Sequence, residues 1–124
     1  TVINIGQNTL VSIPSAHLFA NQSPRIRWNS QAVLDSVQAY LRKFRIVSLH
    51  IQGYTTPYKS VERAQSLSQA RSRAVGQYFS RHGMDSRIIF MSGLGIDRPI
   101  IKTLEGGDAS RNSRIEITFR RQVR

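Results

Sequence analysis

The chain should fold as an α/β two-layer sandwich, a mixed sheet in βαβαβ-β order with two main helices on one face. Three observations predict it. Two long stretches repeat apolar residues at the three-and-four spacing of amphipathic helices. Short runs that alternate apolar and polar residues fall before, between and after those stretches. Both helical stretches are long enough to be crossovers, whereas the closing strand follows a polar loop and no helix.

Residues 1–16 read as a lead-in segment and first strand, carried by Val2-Ile3-Asn4-Ile5 and Leu10-Val11-Ser12-Ile13. Residues 17–124 form the body of what is overall one domain. After the polar turn Asn21-Gln22-Ser23-Pro24, apolar residues at Leu34, Val37, Leu41 and Phe44 predict a helix capped by Ser30 and ending near Lys43 to Arg45. Val47, Leu49 and Ile51 alternate with Ser48, His50 and Gln52, a half-buried strand that ends at Gly53. Gly53 to Lys59 is a loop. The second helix spans about Ser60 to Arg81, with Ala64, Leu67, Ala74, Val75 and Tyr78 on its inner stripe and Gly83 at its C-terminal cap. Ile88 to Met91 is a third strand, broken by Gly93-Leu94-Gly95. A polar loop around Glu105 to Asp108 precedes the last strand, where Ile115, Ile117 and Phe119 face one way and Arg114, Glu116, Thr118 and Arg120 the other.

Length and charge bound the function. With 124 residues the chain can bury a single core without staples. Eighteen Lys and Arg against seven Asp and Glu leave a net charge of +11, scattered along the chain rather than gathered in a tail. Such an excess attracts polyanions or an acidic partner. Nucleic-acid binding would call for aromatics interleaved with Arg on one strand face, and no strand has that pattern. The absence of cysteine removes disulfides and thiolate metal sites but leaves an oxidising compartment allowed. His17, His50 and His82 sit in different elements without metal-ligand spacing, and no triad or carboxylate pair stands out. No cofactor and no catalysis are expected. No apolar run reaches the length of a membrane span. The chain begins with Thr1, so an excised domain or processed product is expected, with any signal peptide or lipid-bearing cysteine, and hence any outer-membrane attachment, outside it.

The most informative segment opens with Gly53-Tyr54-Thr55-Thr56 and closes with Leu67-Ser68-Gln69-Ala70-Arg71. It resembles the ligand-binding segment of the OmpA-like domain, the peptidoglycan-binding module of outer-membrane proteins, flagellar stators and envelope lipoproteins. That family writes Gly-(His/Tyr)-Thr-Asp, a loop, and a helix beginning near Leu-Ser-x-x-Arg. Leu18-Phe19, Asn21-Gln22-Ser23, Gln31 to Leu34, the spacing of Gly83, Gly93 and Pro99, and Asn112 to Ile117 extend the likeness to roughly residues 17–121.

The resemblance implies a non-catalytic anchor in the Gram-negative periplasm, associated with the outer membrane and bound to the peptide stem of peptidoglycan, commonly its diaminopimelate. The implied ligand-binding residues are Gly53, Tyr54, Thr55, Thr56, Leu67, Arg71 and Arg114. An Asp would accept from the ligand's ammonium and an Arg would offer a planar fork to its carboxylate. Arg71 matches the family Arg, whereas Thr56 replaces the Asp and Ala64 stands where an Asn is frequent. Losing a carboxylate beside an ammonium forfeits on the order of 1.5–3 kcal/mol. Arg71 lies on an apolar stripe, so it reads either as a snorkelling or salt-bridged structural arginine or as a ligand-binding one. Glu62 is more simply explained by the helix dipole than as a replacement carboxylate. A lipoprotein or accessory subunit of a secretion system is the expected parent. The alternative is a degenerate scaffold that joins envelope proteins and has lost the glycan ligand.

Overall fold

A computed structural model describes residues 2–56, 60–96 and 113–120. In chain order it contains β1 (Val2–Ile5), β2 (Asn8–Pro14), α1 (Gln31–Leu41), β3 (Leu49–Tyr54), α2 (Val61–Arg81), β4 (Ile89–Gly93) and β5 (Arg114–Arg120). The strands form one sheet in the order β1-β2-β5-β3-β4, with β3 and β4 parallel and the other pairs antiparallel. This is the expected mixed two-layer fold with one more strand. Val2–Ile5 is not simply a lead-in: Gly6, at φ 59°, reverses the chain and folds β1 onto β2 as an edge hairpin. β2 then lies inside the sheet against β5.

Register explains the core. Val11 and Ile51 both pair with Ile117, and Leu49 pairs with both Phe119 and Ile89, so one face carries a continuous apolar surface. Leu34, Leu41, Val75, Tyr78 and Phe79 cover it from the helices. The opposite face carries His50, Gln52, Glu116 and Thr118, as alternation requires.

Several boundaries differ from the periodicity. α1 stops at Leu41 because Lys43 and Phe44 bond three residues back, to the Tyr40 and Leu41 carbonyls, and tighten the last turn. Phe44 still reaches the core, its ring 5.5 Å from that of Phe119. Ser30 makes no side-chain capping bond; a single turn at Trp28–Ser30 leads into α1 instead. Ser60, by contrast, caps α2 by accepting from the Arg63 amide at 3.1 Å. β3 starts at Leu49, and Val47 is 68% exposed. β4 runs on to Gly93, which pairs with Gly53. The loop around Glu105 to Asp108 lies outside the described residues.

The paired glycines position everything that follows. A Cβ at Gly53 would collide with the Ser68 carbonyl oxygen, and one at Gly93 with the Gln69 amide nitrogen. The ends of β3 and β4 therefore rest directly on the backbone of α2. Side-chain bonds hold this approach: Gln69 accepts from the Gly93 amide at 2.8 Å and Ser68 from the Gly95 amide at 3.0 Å.

Candidate ligand-binding site

Because β3 ends against the middle of α2, the residues after it emerge beside Leu67 and Arg71. Thr55 is buried and pinned twice, its amide donating to the Gly95 carbonyl at 2.7 Å and its hydroxyl to the Ala64 carbonyl at 3.2 Å. Thr56 follows, half-buried. A cavity of about 370 Å³ opens here, walled on one side by Thr55, Thr56, Leu67 and Arg71 and on the other by Ser15, Ala16, Phe19, Ala20, Asn21, Gln22 and Arg27, with Ser113 between them. Its size suits a small ligand.

The second wall is built from a compact turn. Ser23 donates its amide to the Ala20 carbonyl, and between them Gln22 adopts φ 61°, a left-handed conformation that a non-glycine residue seldom takes. Arg71 fastens this turn to α2. Its Nε donates to the Ser23 carbonyl at 2.9 Å, Nη2 to the Ala20 carbonyl at 3.3 Å and Nη1 to Ser113 Oγ at 3.2 Å, while the guanidinium lies 4.9 Å from the centre of the Phe19 ring. Further along, the Arg27 amide bonds the Leu18 carbonyl and its Nη2 bonds the Ala16 carbonyl at 2.6 Å.

Electrostatics make Arg71 unusual. It is 5% exposed and, among the described residues, has no acidic partner. Burial lowers its pKa, because desolvation disfavours the charged form, yet a guanidinium remains a cation under any ordinary condition. A guanidinium has five N–H donors and three are engaged, so two remain for an anion. The described lining carries no carboxylate. The arrangement can take a carboxylate in a fork; for an ammonium it offers only neutral oxygens.

The expected site residues thus divide. Thr55, Thr56, Leu67 and Arg71 come together around the cavity. Gly53 supplies the close approach to α2 rather than a ligand contact. Tyr54 and Arg114 point to the opposite face of the sheet, since they pair across β3 and β5 and alternate with the core-facing Gly53 and Ile115. There the Arg114 guanidinium stacks 4.0 Å from the Tyr54 ring centre, and its Nε bonds Glu116 at 2.8 Å. These two residues line a separate cavity of about 540 Å³ with Ile3, Leu10 and Thr118. Ala64, matched in sequence to an amide-bearing ligand contact, is fully buried under Thr55.

Sequence reasoning did not assign Ser15, Phe19, Gln22, Arg27 or Ser113 to the site. The turn at Asn21 to Ser23 was legible, but its bonds to Arg71 span 48 and 51 positions and leave no periodic trace. Among the described residues no group of three His, Asp or Glu side chains could hold a metal ion.

Comparison with known proteins agrees with this fold. Residues 18–113 match the family model described as OmpA family. No curated protein sequence matches the chain. Among solved structures, the cell wall anchor of the T6SS from Pseudomonas aeruginosa superposes with a TM-score of 0.86 at 25% identity, covering 98% of this chain and 87% of that one. The periplasmic domain of Helicobacter pylori MotB gives 0.83 at 22%, covering 98% and 82%. The OmpA-like domain of FopA1 from Francisella tularensis gives 0.75 at 21%, covering 99% and 80%. The chain belongs to the OmpA family and is a non-enzymatic domain of it.

Proposed function

We propose that this OmpA-family chain is an anchoring module of the Gram-negative periplasm that docks on the peptide stem of peptidoglycan through Thr55, Thr56, Leu67 and Arg71. The observation that carries the reading is Arg71, a buried cation on a cavity wall with two free donors and no acidic partner among the described residues. A buried charge left unpaired is costly, and a carboxylate supplied by a ligand removes that cost. Similarity to a T6SS cell wall anchor supports a role in an envelope complex, as a lipoprotein or an accessory subunit of a secretion machine. Among the described residues no helix is long and apolar enough to cross a membrane.

One observation favours a second reading. Thr56 leaves the cavity without the charge that would hold an ammonium, as in a scaffold that has given up the glycan and joins envelope proteins instead. Co-sedimentation with purified peptidoglycan sacculi separates the two. Binding should persist at about 0.5 M salt, where the screening length is only a few ångströms. Complete release at that salt would reduce the interaction to attraction by the +11 charge. Absence of binding at any salt would establish the scaffold reading.

A further inference from the structure

Trp28 is the single tryptophan of the chain and, among the described residues, its most exposed large hydrophobic side chain, at 84%. Within the described structure the indole neither stacks on another ring or cation nor forms a hydrogen bond. The backbone beneath it is nonetheless fixed. The Arg27 amide donates to the Leu18 carbonyl and the Ser30 amide to the Arg27 carbonyl, both at 2.9 Å, while Ile26 bridges to Phe19 and packs against the core. An aromatic plane held in water on a fixed turn loses little freedom when a ligand covers it.

Its place and surroundings narrow the occupant. Arg27, whose Cα lies about 3.8 Å from that of Trp28, lines the cavity that also holds Arg71. A ligand leaving the cavity at Arg27 therefore passes beside the indole. Around Trp28 in the chain, Arg25, Arg27, Asn29 and Gln31 are all polar and exposed. A docked protein or an acyl layer would need further apolar surface beside the ring. A pyranose does not: it has one face of C–H groups for an aromatic plane and a rim of hydroxyl and amide groups for guanidinium and amide side chains.

Resting on the stem-peptide reading above, we infer that Trp28 is the stacking surface for a sugar ring of the peptidoglycan glycan strand, the saccharide to which the stem is joined. The C–H face of the ring lies on the indole. Arg27, with only one of its side-chain nitrogens bonded to the Ala16 carbonyl, and the Asn29 amide hydrogen-bond the ring's hydroxyl and N-acetyl groups. From this rim the stem runs inward to Arg71 over a few extended residues, at roughly 3.3 Å each.

Because the chain has one tryptophan, its emission reports this contact directly. Three probes are titrated: a disaccharide-tripeptide muropeptide, the free tripeptide stem, and tri-N-acetylchitotriose. The muropeptide should bind about tenfold tighter than the free stem, and both glycan probes should shift the Trp28 emission. By calorimetry, Trp28→Ala should bring the muropeptide down to the affinity of the free stem, leave stem binding unchanged and keep the melting temperature; Trp28→Tyr, which restores an aromatic plane, should recover part of the loss. Equal affinity of muropeptide and stem in the unaltered protein, an emission that neither glycan probe changes, or equal losses for both ligands in Trp28→Ala would each overturn the inference. An emission shift with phosphatidylglycerol vesicles and with neither glycan probe would assign the indole to a lipid surface and overturn it as well. Should the free stem fail to bind while both glycan probes act through Trp28, the stem contact falls and the sugar contact stands; should the stem bind and the sugar add nothing, the reverse holds.

Discussion

Arg71 and Arg114 are buried to nearly the same extent, 5% and 4% exposed, and both were expected to touch a ligand. Their surroundings differ in kind. Arg114 is neutralised within the protein, by Glu116 at 2.8 Å and by the face of Tyr54. Arg71 is held by two carbonyls and a hydroxyl, which orient it, and among the described residues no acid compensates its charge. Yet the two sites almost touch in sequence: Ser113 bonds Arg71, and its neighbour Arg114 turns to the other face. The lesson is that burial alone does not mark a functional arginine. A buried cation whose counterion lies in its own chain contributes to the fold, and one without such a counterion is ready for an external anion.

The largest expected effect breaks the comparison from the structural side. Arg114→Ala strands the partly buried Glu116 carboxylate and removes the stacking on Tyr54, so it should cost about 2–3 kcal/mol of stability. That corresponds to a fall of roughly 10 °C in melting temperature. Sacculus binding, measured where the variant is still folded, should be unchanged. Lost binding in a folded Arg114→Ala protein would bring the outer face of the sheet into the site.

Arg71→Lys tests the other arginine with its charge kept and its fork removed. Binding to sacculi should drop roughly ten- to a hundredfold, the worth of charge-assisted bonds that a lysine cannot reproduce together. Stability should fall by about 1–2 kcal/mol, because the turn at Ala20 to Ser23 loses its fastening. A variant that melts far earlier yet binds normally would make Arg71 a structural residue like Arg114.

Restoring a carboxylate sharpens the contrast further. Thr56→Asp places an acceptor for the ligand's ammonium on the cavity wall, and should tighten binding of a diaminopimelate-containing stem peptide by roughly tenfold. No gain in titration would mean that residue 56 is turned away from Arg71.

The smallest effect serves as a control. Tyr78 donates to Asp35, and that bond, with burial and the nearby carboxylate charge, raises its pKa from 10.0 to about 12. A phenol held protonated in the native state binds more protons there than when unfolded. Its contribution is therefore complete below pH 10 and is lost as the pH rises to about 12. Tyr78→Phe should flatten the stability profile in that window and leave sacculus binding alone; a profile that stays as steep would assign the alkaline loss to another group.

What the sequence determined by itself was largely local. The two helices, the closing strand and the inward set of Ile115, Ile117 and Phe119 follow from periodicity, which reports which face of an element avoids water. Gly83 and Ser60 punctuated α2 because a left-handed cap and a side-chain acceptor are properties of single residues. Motif order carried the family, and with it Thr55, Thr56, Leu67 and Arg71. The tertiary structure decided the rest. Whether Arg71 or Arg114 keeps a free charge depends on which acid or carbonyl the fold brings beside it, and those partners lie 48 positions away for one arginine and two for the other. The hairpin of β1 and the wall from Ser15 to Arg27 arise from contacts across the sheet and onto α2. Such contacts have no period along the chain, because they are set by the three-dimensional packing of elements whose own residues satisfy only local rules.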